Sequence, residues 1–303
     1  MSAAINEAPG LSIIVALHQG EANVPAILER LAPARHPDSE FLLCAATADA
    51  LTPGLVPRLD NVRLLHCPES RLVPHLWRDG IIAAKGRHVA LTTAHCLPAA
   101  DWVERLKAAQ DGPWAGVGGT IEVEAQAGAL GKAIHLLRYL RFAPPQEARD
   151  VADIAADNAL YRRAAVLRHD DLLHDGFWEP AFHRRFLAAG QRLRLDPTLR
   201  MHLRNRYGAR QFIAQRFAHG QAFGRERMAA FPFARRLAYL ALSPALPLIV
   251  LVKLAALALR RGDRARQLLH ALPWLMVFVL AWTLGEASGY AAGLGTEKSK
   301  NGA

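Results

Sequence analysis

Four short runs of aliphatic and β-branched residues recur through the first third of the chain: LSIIVAL (Leu11–Leu17), FLLCA (Phe41–Ala45), VRLLH (Val62–His66) and HVALT (His88–Thr92). The first of these suits a strand covered on both faces, and the other three also read as strands. Helical spacing follows the first run, with Val24, Ile27, Leu28 and Leu31 three or four apart and Asn23 ahead of Pro25 as a cap. A second helical pattern covers Leu76–Ala84. Strands alternating with helices predict an α/β fold built on a doubly wound, mainly parallel sheet. Ligands of such sheets bind beyond the carboxyl ends of the strands, so the chemistry is expected just after Ala16, Ala45 and Leu91.

Further along, GVGGTIEVE (Gly116–Glu124) predicts another strand and Ala127–Phe142 a helix. Residues 143–157, with Pro144, Pro145 and many charges, predict a mobile loop over the site. Phe177–Gly190 predicts a helix stopped by Gly190, followed by a short strand at Arg192–Leu195. The cluster RHDDLLHD (Arg168–Asp175) mixes acids and histidines without metal-ligand spacing and reads as a solvated loop. A basic helical segment, Ala209–Arg227, keeps Phe212, Phe217 and Phe223 among its charges, a composition suited to lying flat on a membrane.

Two apolar segments close the chain, Leu237–Leu259, with Lys253, Pro244 and Pro247 inside it, and Leu268–Tyr290, with Glu286 near its end. Each is long enough to cross a hydrocarbon layer of about 30 Å. Between them lies RRGDRAR (Arg260–Arg266). If the globular part were cytosolic and both segments crossed, these arginines would face outward, against the positive-inside rule; a proline-broken hairpin dipping in from the cytosolic side avoids that conflict. Both placements stay open, and two buried core helices are disfavoured because too little sequence follows to cover them.

The net charge of +10 is unevenly spread. Residues 200–303 hold sixteen Lys and Arg against four Asp and Glu, whereas residues 1–199 hold twenty-one against twenty-three. All of the excess therefore lies beside the apolar segments, as expected for a region held against anionic headgroups. A nucleic-acid groove would interleave basic and aromatic residues on the globular part, so no nucleic-acid partner is expected. Cys44, Cys67 and Cys96 form no CxxC pair, which predicts neither a disulfide framework nor a structural zinc and fits a reducing compartment. No charged n-region precedes an apolar h-region in the first 20 residues, so no signal peptide is expected.

Taken in order, SIIVALHQGEAN, LWRDGIIAAKGRHVALTTAHCLPAADWVERL, ADNALYRR and GFWEPAFHRRFLAAGQRLRLDP resemble a bacterial family 2 glycosyltransferase with a GT-A fold, over roughly residues 11–225. The resemblance implies a nucleotide-sugar donor, bound by Leu17, His18 and Glu21 after the first strand and by Arg78 and Asp79 in LWRDG. It also puts Asp49 at the turn that grips the base, although Asp49 serves equally well as a solvated turn residue. The family's acidic metal motif falls on Thr93-Ala94-His95, where both carboxylates are missing. A divalent cation, Mn or Mg, is the cofactor the resemblance implies. A site built on His95, with His202 in DPTLRMHLRN as a second ligand, would suit Mn better than Mg, or no ion at all. Without an ion, His95 would bond a phosphate oxygen.

The family's catalytic carboxylate corresponds to Glu179, which as a base would take a proton from the acceptor hydroxyl. Trp178 would offer an apolar wall to a sugar. Asn158, His183 and Arg184 complete the acceptor side. The opposing reading has Glu179 merely favouring a helix N-terminus and Trp178 in the core.

The resulting expectation is an inverting enzyme that transfers a sugar to a lipid-linked or membrane-embedded acceptor, for envelope glycan or glycolipid synthesis, at a bacterial inner membrane with its catalytic domain cytoplasmic. Residues 1–208 would form the transferase domain, 209–236 a basic interface helix, 237–292 two membrane-embedded or spanning helices and 293–303 a disordered tail. The rival is a catalytically inactive relative that binds a nucleotide or a partner at the membrane.

Overall fold

The computed structural model describes residues 9–19, 21–46, 54–68, 72–229, 232–260 and 264–298. Asp49 lies outside the described residues, as do the side chain of Glu21, residues 261–263 of the arginine-rich turn and the side chains of most of the C-terminal tail.

The chain opens with strand β1 (Leu11–Leu17), helix α1 (Val24–Leu31), strands β2 (Ser39–Ala45) and β3 (Val62–His66), helix α2 (Val73–Ala83) and strand β4 (His88–Thr93). Every residue of β1 and β2 is buried, which accounts for their mostly apolar character; of the buried polar residues, Ser12 donates to Glu40 at 2.7 Å. There follow β5 (Cys96–Pro98), α3 (Trp102–Ala109), β6 (Gly116–Val123), α4 (Ala129–Tyr139), β7 (Arg149–Val151), β8 (Ala159–Arg162), α5 (Arg163–Leu167), α6 (Asp170–Leu173), α7 (Glu179–Ala188) and β9 (Leu193–Leu203). Four helices close the chain: α8 (Ala209–Ala229), α9 (Phe233–Leu242), α10 (Leu246–Leu259) and α11 (Arg264–Lys298).

The strands form one nine-stranded sheet in the order β3-β2-β1-β4-β8-β6-β9-β5, with β7 also on β9. The first four strands run parallel, β8 runs against them, and β6 and β9 return to the original direction, while β5 and β7 oppose β9. The result is an α/β, mainly parallel sheet with three antiparallel members. Those three are short strands that carry no apolar run of their own.

The chain divides into two compact units, Met1–Ala125 with Phe142–Arg206, and Gln126–Arg141 with Tyr207–Ala303. Residues 126–141 thus sit inside the expected 1–208 domain in sequence but cluster with the C-terminal helices. In the first unit, Ile14, Leu42, Trp77, Leu91, Tyr161, Phe177, Phe182 and Phe186 belong to one buried cluster.

Three local expectations need correction. Residues 143–157, expected as a loop, carry β7 and end in a 3-10 turn at Ala156–Asn158, because their backbone finds partners on β9. The strand expected at Arg192–Leu195 runs on to Leu203, and alternation of buried Leu199, Met201 and Leu203 with exposed neighbours marks its half-buried continuation. The cluster Arg168–Asp175 contains the helical turn α6, held by buried Leu173, with His174 and Asp175 exposed. The helix before β9 does stop at Gly190, whose φ is +73°.

In the second unit, α8 packs along α11. A Cβ on Gly220 would lie 2.2 Å from the Trp282 carbonyl oxygen, and one on Gly224 2.5 Å from that of Glu286. Reciprocally, a Cβ on Gly285 would lie 2.1 Å from the Phe217 oxygen and one on Gly289 2.4 Å from the Gln221 oxygen. Two small-xxx-small pairs therefore face each other, and only glycine permits this backbone approach. Glu286 is buried between the helices, accepting hydrogen bonds from Arg227 (3.2 Å), Trp282 Nε1 (3.2 Å) and the Tyr290 hydroxyl.

The apolar segment expected at Leu237–Leu259 is interrupted by a 3-10 turn at Ser243–Ala245, where Pro244 and Pro247 start a new helix. Together α10 and α11 make the C-terminal hydrophobic helical hairpin. By length and composition, Ala234–Leu259 and Arg264–Ala292 are each sufficient to cross a membrane, their most apolar 18-residue stretches having mean hydropathies of 2.2 and 1.8.

Candidate active site

The carboxyl ends of β1, β2 and β4 lie together, Ala16 opposite both Cys44 and Thr93, and Leu17 opposite Ala45. Because β8 enters antiparallel, with Ala159 opposite Leu91, the residues just before β8 arrive at the same edge. Thr93 Oγ1 donates to Asp157 Oδ1 there, at 3.4 Å. Both residues are buried, Thr93 at 1% and Asp157 at 3% exposure.

Asn158, expected to meet the acceptor, is a brace instead. It is fully buried, its Oδ1 accepting from Trp102 Nε1 at 2.8 Å and its Nδ2 donating to the carbonyls of Thr120 and Leu199, each at 3.0 Å. With both amide hydrogens donated and no exposed surface, the side chain ties Trp102, Thr120 and Leu199 together.

His183 is corrected for the same reason. It is buried in α7, with Nδ1 2.6 Å from Asp153 Oδ1 and Nε2 2.9 Å from the Tyr161 hydroxyl. The network assigns the tautomer, Nδ1–H donating to the carboxylate and the tyrosine donating to Nε2. Burial, and after it the charges of Glu179, Asp153 and Asp157, push the Tyr161 hydroxyl well above its usual pKa, so it stays protonated. Of these three carboxylates, Glu179 is the one at a helix start.

Glu179 opens α7 and is half-buried. An acid in the first turn is favoured by the helix dipole. The turn ahead of it depends on Gly176, at φ +113°, where a Cβ would also lie 2.9 Å from the His75 ring. The next amide, Phe177 N, donates to the Pro74 carbonyl at 2.9 Å, tying the start of α7 to the start of α2. Trp178, also half-buried, donates from Nε1 to the Asp175 carbonyl at 3.0 Å and meets the His75 ring edge-on, centroids 6.3 Å apart. Burial, then the nearby Arg78 charge, lowers the His75 pKa and favours the neutral ring.

The first turns of α2 reach the strand ends as well, since Trp77 Nε1 donates to the Thr92 carbonyl at 2.9 Å. Arg78 and Asp79 pair with each other at 2.7 Å, and Arg78 also donates to the His174 carbonyl at 3.1 Å. Arg184 is exposed on α7, and its neighbour Arg185 pairs with Asp171 at 2.8 Å.

On the β1 side, the Leu17 side chain is fully buried and can offer a ligand only its backbone. The carbonyl of His18 accepts from His95 Nε2 at 2.9 Å. His95 itself is fully buried, and its Nδ1 accepts from the Arg206 amide at 3.3 Å. Its two ring nitrogens are thus both spent inside the protein. His202 lies on the exposed face of β9, opposite Leu97 and Glu122, out of phase with buried Met201 and Leu203. The expected pair of ligating imidazoles is not assembled, because one ring is turned inward and the other outward.

The family model described as "Glycosyl transferase family 2" matches residues 12–169, slightly more than half of the chain. The chain belongs to glycosyl transferase family 2. No curated protein sequence gives a significant match. Among solved structures, this glycosyltransferase is similar to the mannosyltransferase PcManGT from Pyrobaculum calidifontis in complex with GDP-Man and Mn2+. That match has a TM-score of 0.54 at 17% identity, over 93% of this chain and 88% of the other. The common element is the fold, a GT-A-like, doubly wound, mainly parallel α/β sheet.

The residues of this family member do not fit a divalent ion at the family's position. Thr93 offers a buried hydroxyl already bonded to Asp157, and His95 has no uncommitted nitrogen. Among the described residues, no three His, Cys, Asp or Glu side chains come together as a metal-binding group. Asp153, Asp157 and Arg206 are the site residues that sequence reasoning passed over. The only cue was the aspartate directly before Asn158, within the quoted ADNALYRR motif.

Proposed function

We propose that this glycosyltransferase is an inverting enzyme, moving a sugar from a nucleotide-sugar donor to a lipid-linked or membrane-embedded acceptor in envelope glycan or glycolipid synthesis. Glu179 carries the reading: it is the accessible carboxylate at the start of α7, beside Trp178, while Asp157 is sealed against Thr93. In the proposed step the acceptor oxygen attacks the anomeric carbon as the bond to the diphosphate oxygen breaks. The acceptor's proton passes to Glu179 and the nucleoside diphosphate leaves. Trp178 and Arg184 line the acceptor side, and His18, Arg78 and Asp79 the donor side.

The test is hydrolysis of a panel of nucleotide sugars, in which water takes the acceptor's place. Glu179→Gln is expected to lower kcat by about 10²–10⁴ with KM nearly unchanged. Equal rates in both proteins would remove Glu179 from the chemistry. The second reading, a fold-keeping binder without activity, draws support from the absent metal ligands and would be established by donor binding with no turnover in either protein.

The membrane part of the proposal rests on the exposed apolar hairpin and on the positive charge beside it. The break at Pro244 and Pro247 inside Ala234–Leu259, together with the arginine-rich turn that follows it, supports a hairpin dipping in from the cytosolic side of a bacterial inner membrane. The transferase unit would then be cytoplasmic and the Arg260–Arg266 turn at headgroup level. An impermeant thiol reagent should label Arg260→Cys from the cytosolic side only. Labelling from the outside alone would replace dipping with crossing.

A further inference from the structure

A leaving diphosphate needs positive charge close by, and in this chain that charge cannot come from an ion held at Thr93 and His95. The carboxylate side of the site, Asp153, Asp157 and Glu179, would repel it. Across the strand ends from these acids, two buried side chains gather three segments. Asn23, fully buried, donates from Nδ2 to the carbonyls of Ala94 (2.9 Å) and Arg204 (3.0 Å) and accepts at Oδ1 from Arg206 Nε (2.8 Å). His95 joins the His18 carbonyl to the Arg206 amide. The turns after β1, β4 and β9 are thereby locked together, and the backbone and Nε of Arg206 are fixed.

What this lock presents is one guanidinium end. Arg206 is exposed, and among the described residues its two terminal amino groups meet no protein partner. Its neighbour Arg204 is already used, bonded to Glu124 at 2.6 Å. A planar fork pinned at Nε presents the terminal donors with little freedom left to lose, which suits two phosphate oxygens better than a mobile lysine would.

We propose that Arg206 binds the diphosphate of the donor in place of a divalent cation, with Asn23 and His95 as its positioning residues. This rests on the nucleotide-sugar reading above. It also explains why His95 stands where the family motif has an acid: an imidazole that donates to one backbone group and accepts from another builds the lock, which a carboxylate could not do.

The test is calorimetric titration of UDP, GDP and their parent nucleosides into the full chain with EDTA and, separately, with Mn2+. One diphosphate should bind in EDTA, with less than about threefold change on adding Mn2+. Arg206→Ala should weaken that diphosphate at least about tenfold while leaving its nucleoside unchanged, and Arg206→Lys should recover part of the loss. Asn23→Ser, which keeps the guanidinium but removes its anchor, should fall between wild type and Arg206→Ala. Binding that requires Mn2+, or an Arg206→Ala protein equal to wild type, would overturn the proposal while leaving the donor reading intact. No binding of either diphosphate with or without Mn2+ would overturn both.

Discussion

The two compact units handle apolar surface in opposite ways. In the first, Phe41, Trp77, Trp102, Tyr161, Phe177, Phe182 and Phe186 are all inside, and Ile82 and Leu187 are its only large apolar side chains that stand exposed among the described residues. In the second, thirteen large apolar side chains are exposed among the described residues, including Leu248 at 67%, Leu259 at 65% and Leu269 at 70%, while Gln215, Arg216 and Glu286 are buried. The first pattern is what water selects, because burying apolar area is the main driving force there. The second has its polar groups and glycine contacts inside and its leucines outside, which suits lipid, where close backbone packing and internal hydrogen bonds must replace hydrophobic drive.

The contrast is most exposed at Gly285. Leucine is the better helix former by roughly 1 kcal/mol, so propensity alone would make Gly285→Leu stabilising. With a backbone oxygen 2.1 Å from the position of its Cβ, the substitution should instead force α8 from α11 and cost about 3 kcal/mol or more, seen as loss of the folded second unit in a denaturation series in detergent. A neutral or stabilised Gly285→Leu protein would mean the two helices are not held by close approach.

A smaller effect is expected on the outer face. Replacing Leu248, Ile249 and Val252 together by serine removes no internal contact of consequence, so stability in detergent should change by no more than about 0.5 kcal/mol per site. The same triple variant should move from the membrane pellet toward the soluble fraction in cell fractionation. If wild type is already soluble, the outer face is ordinary surface and the contrast between the units is lost.

The smallest effect belongs to the first unit. Burial, followed by a neighbouring cation, lowers the pKa of His36 (Lys107), His75 (Arg78) and His88 (Arg162) from the usual 6.5. A depressed value means that the unfolded chain takes up protons first, so the contribution is complete above pH 6.5 and is lost as pH falls through the folded values. Thermal melts should therefore drop steadily below about pH 6.5. His75→Gln should make that slope shallower, and an unchanged slope would show that His75 titrates normally.

Much of this fold could be read in one dimension. Strands β1, β2 and β4 declare themselves because strands covered on both faces need mostly apolar runs, and β3, partly exposed, shows the weaker pattern VRLLH. The short strands β5, β7 and β8 do not declare themselves, since their pairing depends on neighbours brought in from elsewhere in the chain. Glu179 was singled out only by the family resemblance, and the structure places it, half-buried, at the start of α7. Asn158 and His183, expected on the acceptor side, are buried with internal partners, and a polar residue at a motif position looks the same in sequence whether it faces a ligand or braces the core. The proposed ligating pair failed for a related reason: spacing says nothing about which side of a strand or turn a ring occupies.

The order of elements, the parallel sheet, the apolar hairpin and the loss of both acids at Thr93 and His95 follow from the residues alone, because burial pattern and chemical type are local properties. Tertiary structure decided that His95 would knit backbone to backbone, that His183 would bridge Asp153 and Tyr161, and that Arg206 would be pinned by Asn23 from 183 positions away in sequence. Those outcomes depend on hydrogen-bond geometry across distant segments, which exists only once the strand ends have been brought side by side.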